Sequence, residues 1–138
     1  CTSFKVELLK GVHNFTATTG NTYKIALYDS DATIGAATTA FSTSEEITNT
    51  SGTAYTSGGA TLTSVTPVAS STTAICDFSD VSYSSASFTA NGALIYNSSA
   101  SNVAVCAIAF GSDKTATNGT FTIQFPTADA TNAIIRLA

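Results

Sequence analysis

The sequence predicts an all-β fold: an antiparallel β-sandwich, jelly-roll-like, with a short N-terminal helix. Roughly eight short runs alternate apolar and polar residues, and turns rich in Gly, Ser and Asn separate them. Threonine, which favours strands, fills 25 of the 138 positions. Short strands between frequent turns are typical of two packed antiparallel sheets, and strong internal repeats typical of solenoids or propellers are absent. We expect one domain over residues 1–138.

The one helical pattern lies at the N-terminus. Within residues 3–15, Phe4, Leu8 and Val12 recur every fourth residue and would share one face of a helix. Gly11 and residues 13–16 after it are expected to end or loosen this short helix. We expect residues 1–20 as a whole to form a helix or arm segment. This segment would pack either over one end of the sandwich or on another subunit.

The predicted strands follow the alternating runs. They span residues 23–28, 60–68, 72–78, 81–83, 88–96, 103–110, 120–125 and 132–137. Pro67 indicates an edge strand or a strand end, because proline cannot donate a ladder hydrogen bond. Residues 29–61 are rich in Ser, Thr, Gly and Asp, which predicts a long excursion with one or two short edge segments. Residues 111–119 are predicted to be a turn region.

The densest apolar sequence predicts the centre of the core. Residues 103–110 are apolar on both alternating faces, which indicates a central strand. In the run 88–96, Phe88 and Leu94 are predicted to share one face. The five-residue polar break at 97–101 suits a hairpin between the two runs.

The surface is predicted to be weakly acidic and coated with hydroxyl groups. Charged residues make up only 10% of the chain, whereas 43 of the 138 positions are Ser or Thr. Five basic and nine acidic residues give a net charge of −4, so we expect no nucleic-acid partner. No apolar run approaches the roughly 20 residues that cross a bilayer, so we expect no membrane partner.

No catalytic, cofactor-binding or metal-ligating residues are predicted. A Ser-His-Asp arrangement could be drawn around His13, the single histidine, only because Ser and Asp are common, and no GxSxG elbow supports it. We interpret His13 as a polar residue at a helix end. Cys1, Cys76 and Cys106 form no CxxC motif or Cys/His ligand set, which excludes a structural zinc. Cys76 and Cys106 are expected to be free thiols inside strands rather than a disulfide.

One acidic segment resembles the start of a calcium-binding loop. It begins at Asp29 and Asp31, but Ile34 stands at the sixth position, where glycine is needed. Ala40 stands at the twelfth position, where glutamate is needed. We therefore interpret Asp29 and Asp31 as turn residues after a strand.

Two further acidic pairs could in principle work together as carboxylate pairs. Asp77 with Asp80, and Glu45 with Glu46, are interpreted instead as solvated edges that deter pairing with stray strands.

The chain also contains four N-x-[ST] sequons, which begin at Asn14, Asn49, Asn97 and Asn118. A chain this rich in Ser and Thr produces about two or three sequons by chance, so the four seen are weak evidence for glycosylation. Sugar binding usually needs an aromatic platform, but Trp is absent and the five Tyr are dispersed.

Six stretches, taken in their order and spacing, carry a family resemblance. They span residues 3–5, 11–15, 22–28, 52–59, 91–97 and 121–137. The match that they mark extends from residue 3 to residue 137, nearly the whole chain, which resembles small virion structural proteins encoded by tailed bacteriophages. The resemblance implies a non-enzymatic building block of the particle, and small jelly-roll proteins of this length serve in some such phages as capsid cement. It implies no catalytic residues.

The resemblance also implies partners and a location. We expect the chain to bridge major capsid proteins as a homo-oligomer, either a dimer or a trimer, on the outer surface of the virion. The outer surface is favoured because an acidic protein inside the shell would be repelled by the packaged DNA. The N-terminal segment is expected to make the contacts. The alternatives are a tail-fibre or host-recognition module that binds glycans, and a fibril or surface-layer subunit that polymerises through an open edge strand.

Overall fold

The computed structural model describes residues 1–48 and 55–138, and most of its regular structure is β. Its elements are α1 (Thr2–Leu9), β1 (Tyr23–Tyr28), β2 (Ala60–Thr61), β3 (Ser64–Ser70), β4 (Thr73–Phe78), β5 (Val81–Asn97), β6 (Val103–Ile123) and β7 (Ile135–Leu137). The strands form one sheet in the order β2-β1-β5-β6 and another in the order β3-β4-β7, and all neighbours are antiparallel. The predicted all-β sandwich with an N-terminal helix is confirmed. The jelly-roll topology stays a prediction.

The four-stranded sheet is covered on both faces around β1. Its main core face carries alternate residues of β1, namely Tyr23, Ile25 and Leu27, which pack with β4 residues of the other sheet. The opposite face carries Ala26 and Tyr28, which pack beneath the segment after β1. The long polar excursion predicted after β1 therefore has a structural role, because its few apolar residues cover the second face of the sheet.

The prediction that residues 103–110 form a central strand is wrong. They begin β6, which lies at the edge of its sheet, whereas β1 and β5 are central. Residues on both faces of β6 are apolar because both faces are covered near its start: Val105 packs in the main core and Ala104 on the opposite face. An apolar pattern therefore reports that faces are covered, but not whether a strand has hydrogen-bonding neighbours on both sides.

The predicted hairpin is confirmed, but its strands are longer than predicted. The 81–83 run joins β5, and the turn predicted at 111–119 is wrong because these residues lie inside β6. Gly111 and Asn118 adopt positive φ angles of 77° and 47°, close to places where the β5–β6 register shifts. Residues with turn chemistry here form bulges, which bend a hairpin without ending it.

The bulges also change which side chains share a face. The register shifts between Ala90 and Gly92. Phe88 packs in the main core, whereas Leu94 packs on the opposite face, so the prediction that they share a face is wrong. Strict alternation holds only while the register is continuous.

The N-terminal helix is shorter than its apolar pattern. It ends at Leu9, close to the end predicted at Gly11, which adopts a φ of 71° that favours glycine. Phe15 then lies flat against Tyr23 of β1, with 4.4 Å between ring centroids. The segment therefore packs on its own sandwich, as one of the two predicted alternatives.

Two other predicted strands differ from the structure in their bounds. The 60–68 run divides into β2, which pairs with β1, and β3, which pairs with β4 in the other sheet. Pro67 lies in β3, an edge strand whose register shifts between Val65 and Val68, as its proline predicts. The final strand covers only Ile135–Leu137.

Candidate interaction surface

An open apolar groove runs along β6. Its volume is about 760 Å³, and its apolar lining includes Cys106, Ile108, Phe110, Phe121, Phe125 and Ile134. Phe121 contacts the buried Phe88 ring, with 5.0 Å between centroids, so the groove is the exposed margin of the main core. The facing sheet ends in the three-residue strand β7, which leaves this part of β6 uncovered.

A second groove of about 720 Å³ lies between α1, β6 and the C-terminal residues. It shares Cys106 and Ile134 with the first groove, so the two form one continuous surface, here termed the apolar channel. Leu9 and Leu137 line it and are 92% and 55% exposed. Large apolar side chains left this exposed at one place are typical of a surface that contacts another molecule.

Two strand edges border the apolar channel. β7 pairs with β4 on one side, and no other described strand pairs with it. On the outer edge of β6, Ala104 donates to the Thr39 carbonyl and the Cys1 amino group donates to the Val105 carbonyl. Within residues 1–48 and 55–138, no backbone segment pairs with this edge from Cys106 onward. The channel therefore lies where the sandwich is open between its two sheets.

A buried polar cluster anchors α1 beside this channel. His13 Nε2 lies 3.0 Å from a Glu7 carboxylate oxygen, and His13 Nδ1 lies 3.2 Å from Asn97 Nδ2. Because Asn97 Nδ2 donates, Nδ1 accepts and Nε2 carries the proton that is donated to Glu7. Both ring nitrogens are thus engaged in holding the helix. The interpretation of His13 as a helix-end residue missed this burial.

The sequon at Asn97 falls in the same cluster. The Asn97 side chain is fully buried and also donates to Asn21 Oδ1 at 3.1 Å. Asn14 and Asn118 are exposed, and Asn49 lies outside the described residues. Asn97 is therefore a structural residue, and a glycan could not be attached to it in the folded chain.

The interpretation of Glu45 and Glu46 as a solvated pair is wrong for Glu46. Its side chain is buried and accepts hydrogen bonds from Tyr55 Oη at 2.6 Å, Gly58 N at 2.6 Å and Ser57 Oγ at 2.7 Å. Burial and the bond to Glu46 raise the pKa of Tyr55 far above its ordinary value. Glu46 therefore ties two parts of the chain together, whereas Glu45 is exposed.

The other acidic residues are also placed by the structure. Asp29, Asp31 and Glu45 bring carboxylate oxygens within 4.8 Å of one another at the surface. Asp29 Oδ1 accepts from the Asp31 backbone at 3.0 Å, which confirms their interpretation as turn residues. Asp80 is exposed and accepts from the backbone after β6, whereas Asp77 is half-buried rather than solvated.

The cysteines are free thiols, as predicted. Burial raises the pKa of Cys76 to about 12 and that of Cys106 to about 11, so both stay protonated at neutral pH. A protonated thiol is a poor nucleophile and a poor metal ligand. These two side chains therefore act as small apolar residues, one in the core and one in the channel.

Comparison with known proteins identifies no relative: no protein-family model, curated protein or solved structure matches the chain. Among the described residues, no helix is long and apolar enough to span a bilayer.

Proposed function

We propose that this chain is a bacteriophage virion structural protein, a capsid cement or decoration protein that stabilises the shell by bridging major capsid proteins. The apolar channel is the observation that carries the proposal. It gives the chain a large contact surface between α1, β6 and β7. The sequence resemblance to small virion structural proteins supplies the biological setting.

Several groups that could perform chemistry are engaged in holding the fold. His13 is held by Glu7 and Asn97, the buried thiols are protonated, and Glu46 accepts three hydrogen bonds. These arrangements favour a protein that acts by binding other proteins rather than by catalysing a reaction. We therefore propose a non-enzymatic role.

The proposed location is the outer surface of the capsid. A net charge of −4 disfavours the DNA-filled interior, and the Ser- and Thr-rich surface supplies hydration with few charges. A cement protein attaches firmly when several modest contacts act together, which a homo-oligomer provides. We propose a dimer or trimer that touches more than one capsid protein.

The number of copies on purified particles tests this function. Gel band intensity relative to the main shell protein is expected to show hundreds of copies, and immunogold labelling of intact particles is expected to mark the outer capsid surface. A few copies or dozens, labelled at the tail, would replace the cement role with the host-recognition role. Binding of the purified chain to glycan arrays would support that replacement.

A second candidate function is a fibril or surface-layer subunit. The outer edge of β6 favours it, because none of the described backbone pairs with this edge from Cys106 onward. Natural monomers shorten or block such edges, whereas β6 has 21 residues and contains no proline. Electron microscopy of concentrated purified protein separates the two functions. The cement role predicts discrete small oligomers, and continuous filaments would indicate the fibril role.

A further inference from the structure

We infer that the apolar channel binds one extended segment of a partner protein, in which alternating apolar side chains are flanked by carboxylates. The inference rests on the proposed function, which makes the major capsid protein the neighbour that supplies this segment. The partner's shape and its charge follow from separate observations.

The shape follows from the open side of the sandwich. The channel lies between the outer edge of β6, which no described backbone segment pairs with from Cys106 onward, and the edge of β7 that faces away from β4. These two strands belong to different sheets. An added strand can donate and accept backbone hydrogen bonds along one of these edges. Its alternate side chains would then point into the channel, where Phe110, Phe121 and Leu137 supply apolar contacts. An extended segment can therefore form backbone hydrogen bonds with a strand edge and pack its apolar side chains in the channel.

The charge follows from the residues around the channel. Lys5, Lys114 and Arg136 line it, and they are three of the five basic residues in the chain. The lining contains no acidic residue, although the chain carries nine. A basic border on an acidic protein complements a partner that carries carboxylates beside its apolar residues.

Glu7 and Asp113, which lie close in sequence to Lys5 and Lys114, have partners outside the channel lining. Glu7 faces His13 at 3.0 Å, and Asp113 accepts from Asn91 Nδ2 at 2.8 Å. The three basic side chains make no ion pair within the described residues. Lys114 Nζ donates to Ser112 Oγ and an Arg136 guanidinium nitrogen donates to the Ala130 carbonyl, each at 2.9 Å. These acceptors are neutral, so no described carboxylate neutralises the three charges, which can attract the carboxylates of a partner.

The same charges disfavour a second copy seated symmetrically on the channel. In a two-fold contact each copy presents the same patch, so the basic borders of the two copies would face one another. Like charges across an interface weaken association and select against that partner. The contact between copies in the proposed oligomer therefore belongs to another surface.

Fluorescence anisotropy with labelled peptides tests the inference on the purified chain. The probe is an eight-residue peptide that alternates Leu and Thr and carries two Asp at each end. One control peptide carries Lys at its ends, and another replaces every Leu with Ser. We expect the Asp-flanked peptide to bind at least about tenfold more tightly than either control, and added salt to weaken its binding. Equal binding of all three, or no binding of the Asp-flanked peptide, would overturn the inference.

Paired variants locate the binding surface. The double variant Lys5→Glu with Arg136→Glu is expected to weaken peptide binding about tenfold or more. The control Lys10→Glu with Lys24→Glu changes the net charge equally but lies outside the channel lining, so a smaller loss is expected. Equal losses in both pairs would show a general charge effect and overturn the inference.

A second pair of variants tests the apolar residues that line the channel. Leu137→Asp is expected to abolish peptide binding, whereas Val68→Asp, at a side chain 57% exposed on β3, should leave it unchanged. Circular dichroism checks that both variants are folded. Sedimentation equilibrium supplies the other outcome: if the wild-type chain dimerises and Leu137→Asp alone makes it monomeric, the occupant is a second copy and the inference is wrong.

The inference and the proposed function can fail separately. Abundant copies on the particle without peptide binding would overturn the inference and leave the cement role intact. Peptide binding by a chain that is absent from the particle would overturn the cement role and retain the binding specificity of the channel.

Discussion

Replacing Tyr55 with Phe should destabilise the fold strongly, although it removes a single oxygen atom. The hydroxyl donates to the buried Glu46 carboxylate at 2.6 Å and accepts from Leu27 N at 3.0 Å. Loss of a charge-assisted bond costs about 1.5–3 kcal/mol, and an unsatisfied buried N–H costs about 1–3 kcal/mol. We expect the free energy of unfolding to fall by about 3–4 kcal/mol, a large part of the roughly 5–15 kcal/mol typical of a domain.

Urea unfolding followed by far-ultraviolet circular dichroism measures this loss. With a slope of about 2 kcal/mol per molar urea, the midpoint should fall by about 1.5–2 M at an unchanged slope. Tyr28→Phe is the matched control, because its hydroxyl donates to a neutral carbonyl, that of Ser42, at 2.6 Å. It should lose only about 1 kcal/mol. A smaller loss for Tyr55→Phe than for Tyr28→Phe would refute the assigned role of Glu46.

Three further predictions follow from the buried groups and the backbone. Asn97→Ala should lower the free energy of unfolding by about 3 kcal/mol and speed amide exchange in α1, since it removes the buried partner of the helix-anchoring histidine; unchanged exchange would contradict this anchoring. Stability should fall from about pH 9 to 12, because burial raises the pKa of Cys76 and of Tyr28 to about 12 from ordinary values of 9.0 and 10.0. The unfolded chain then binds fewer protons than the folded chain. Between its unfolded and folded pKa values, each group lowers the free energy of unfolding by about 1.4 kcal/mol per pH unit. Equal urea midpoints at pH 8 and pH 11 would contradict this pH dependence. Gly59→Ala should prevent stable folding, because φ is 71° and a methyl group would overlap the β1 backbone, whereas Gly35→Ala meets open space and should change the melting temperature little; similar melting temperatures would count against this geometry.

Sequence patterns predicted the strands whose register is continuous. The Tyr23–Tyr28 strand appears with its predicted bounds, because one unbroken alternation covers it. The β5–β6 hairpin was also recognisable, because a polar break separates two apolar runs. The length of this hairpin could not be predicted, because glycine and asparagine, found here at Gly111 and Asn118, are favoured in bulges as well as in turns. Only the pairing partner decides between the two, and that partner is distant in sequence.

The candidate site was largely beyond sequence reasoning. Leu9, Phe121 and Leu137 belong to three separate elements, and only the topology brings them to one channel. The prediction that the N-terminal segment makes the contacts identified one of these elements and stays a prediction. Glu45 and Glu46 are indistinguishable in sequence, yet one is exposed and the other buried. A hydrogen-bonded burial site for one carboxylate depends on loop positions that no local pattern encodes.

The stability of the particle with and without the chain tests the central proposal most directly. Particles would be prepared without the protein, heated, and scored for DNA release, and purified protein would then be added back. If the chain is a cement protein, depleted particles should release DNA at a lower temperature, and saturating wild-type protein should restore the original value, whereas Leu137→Asp should not. Depleted particles as heat-resistant as complete ones would contradict the account.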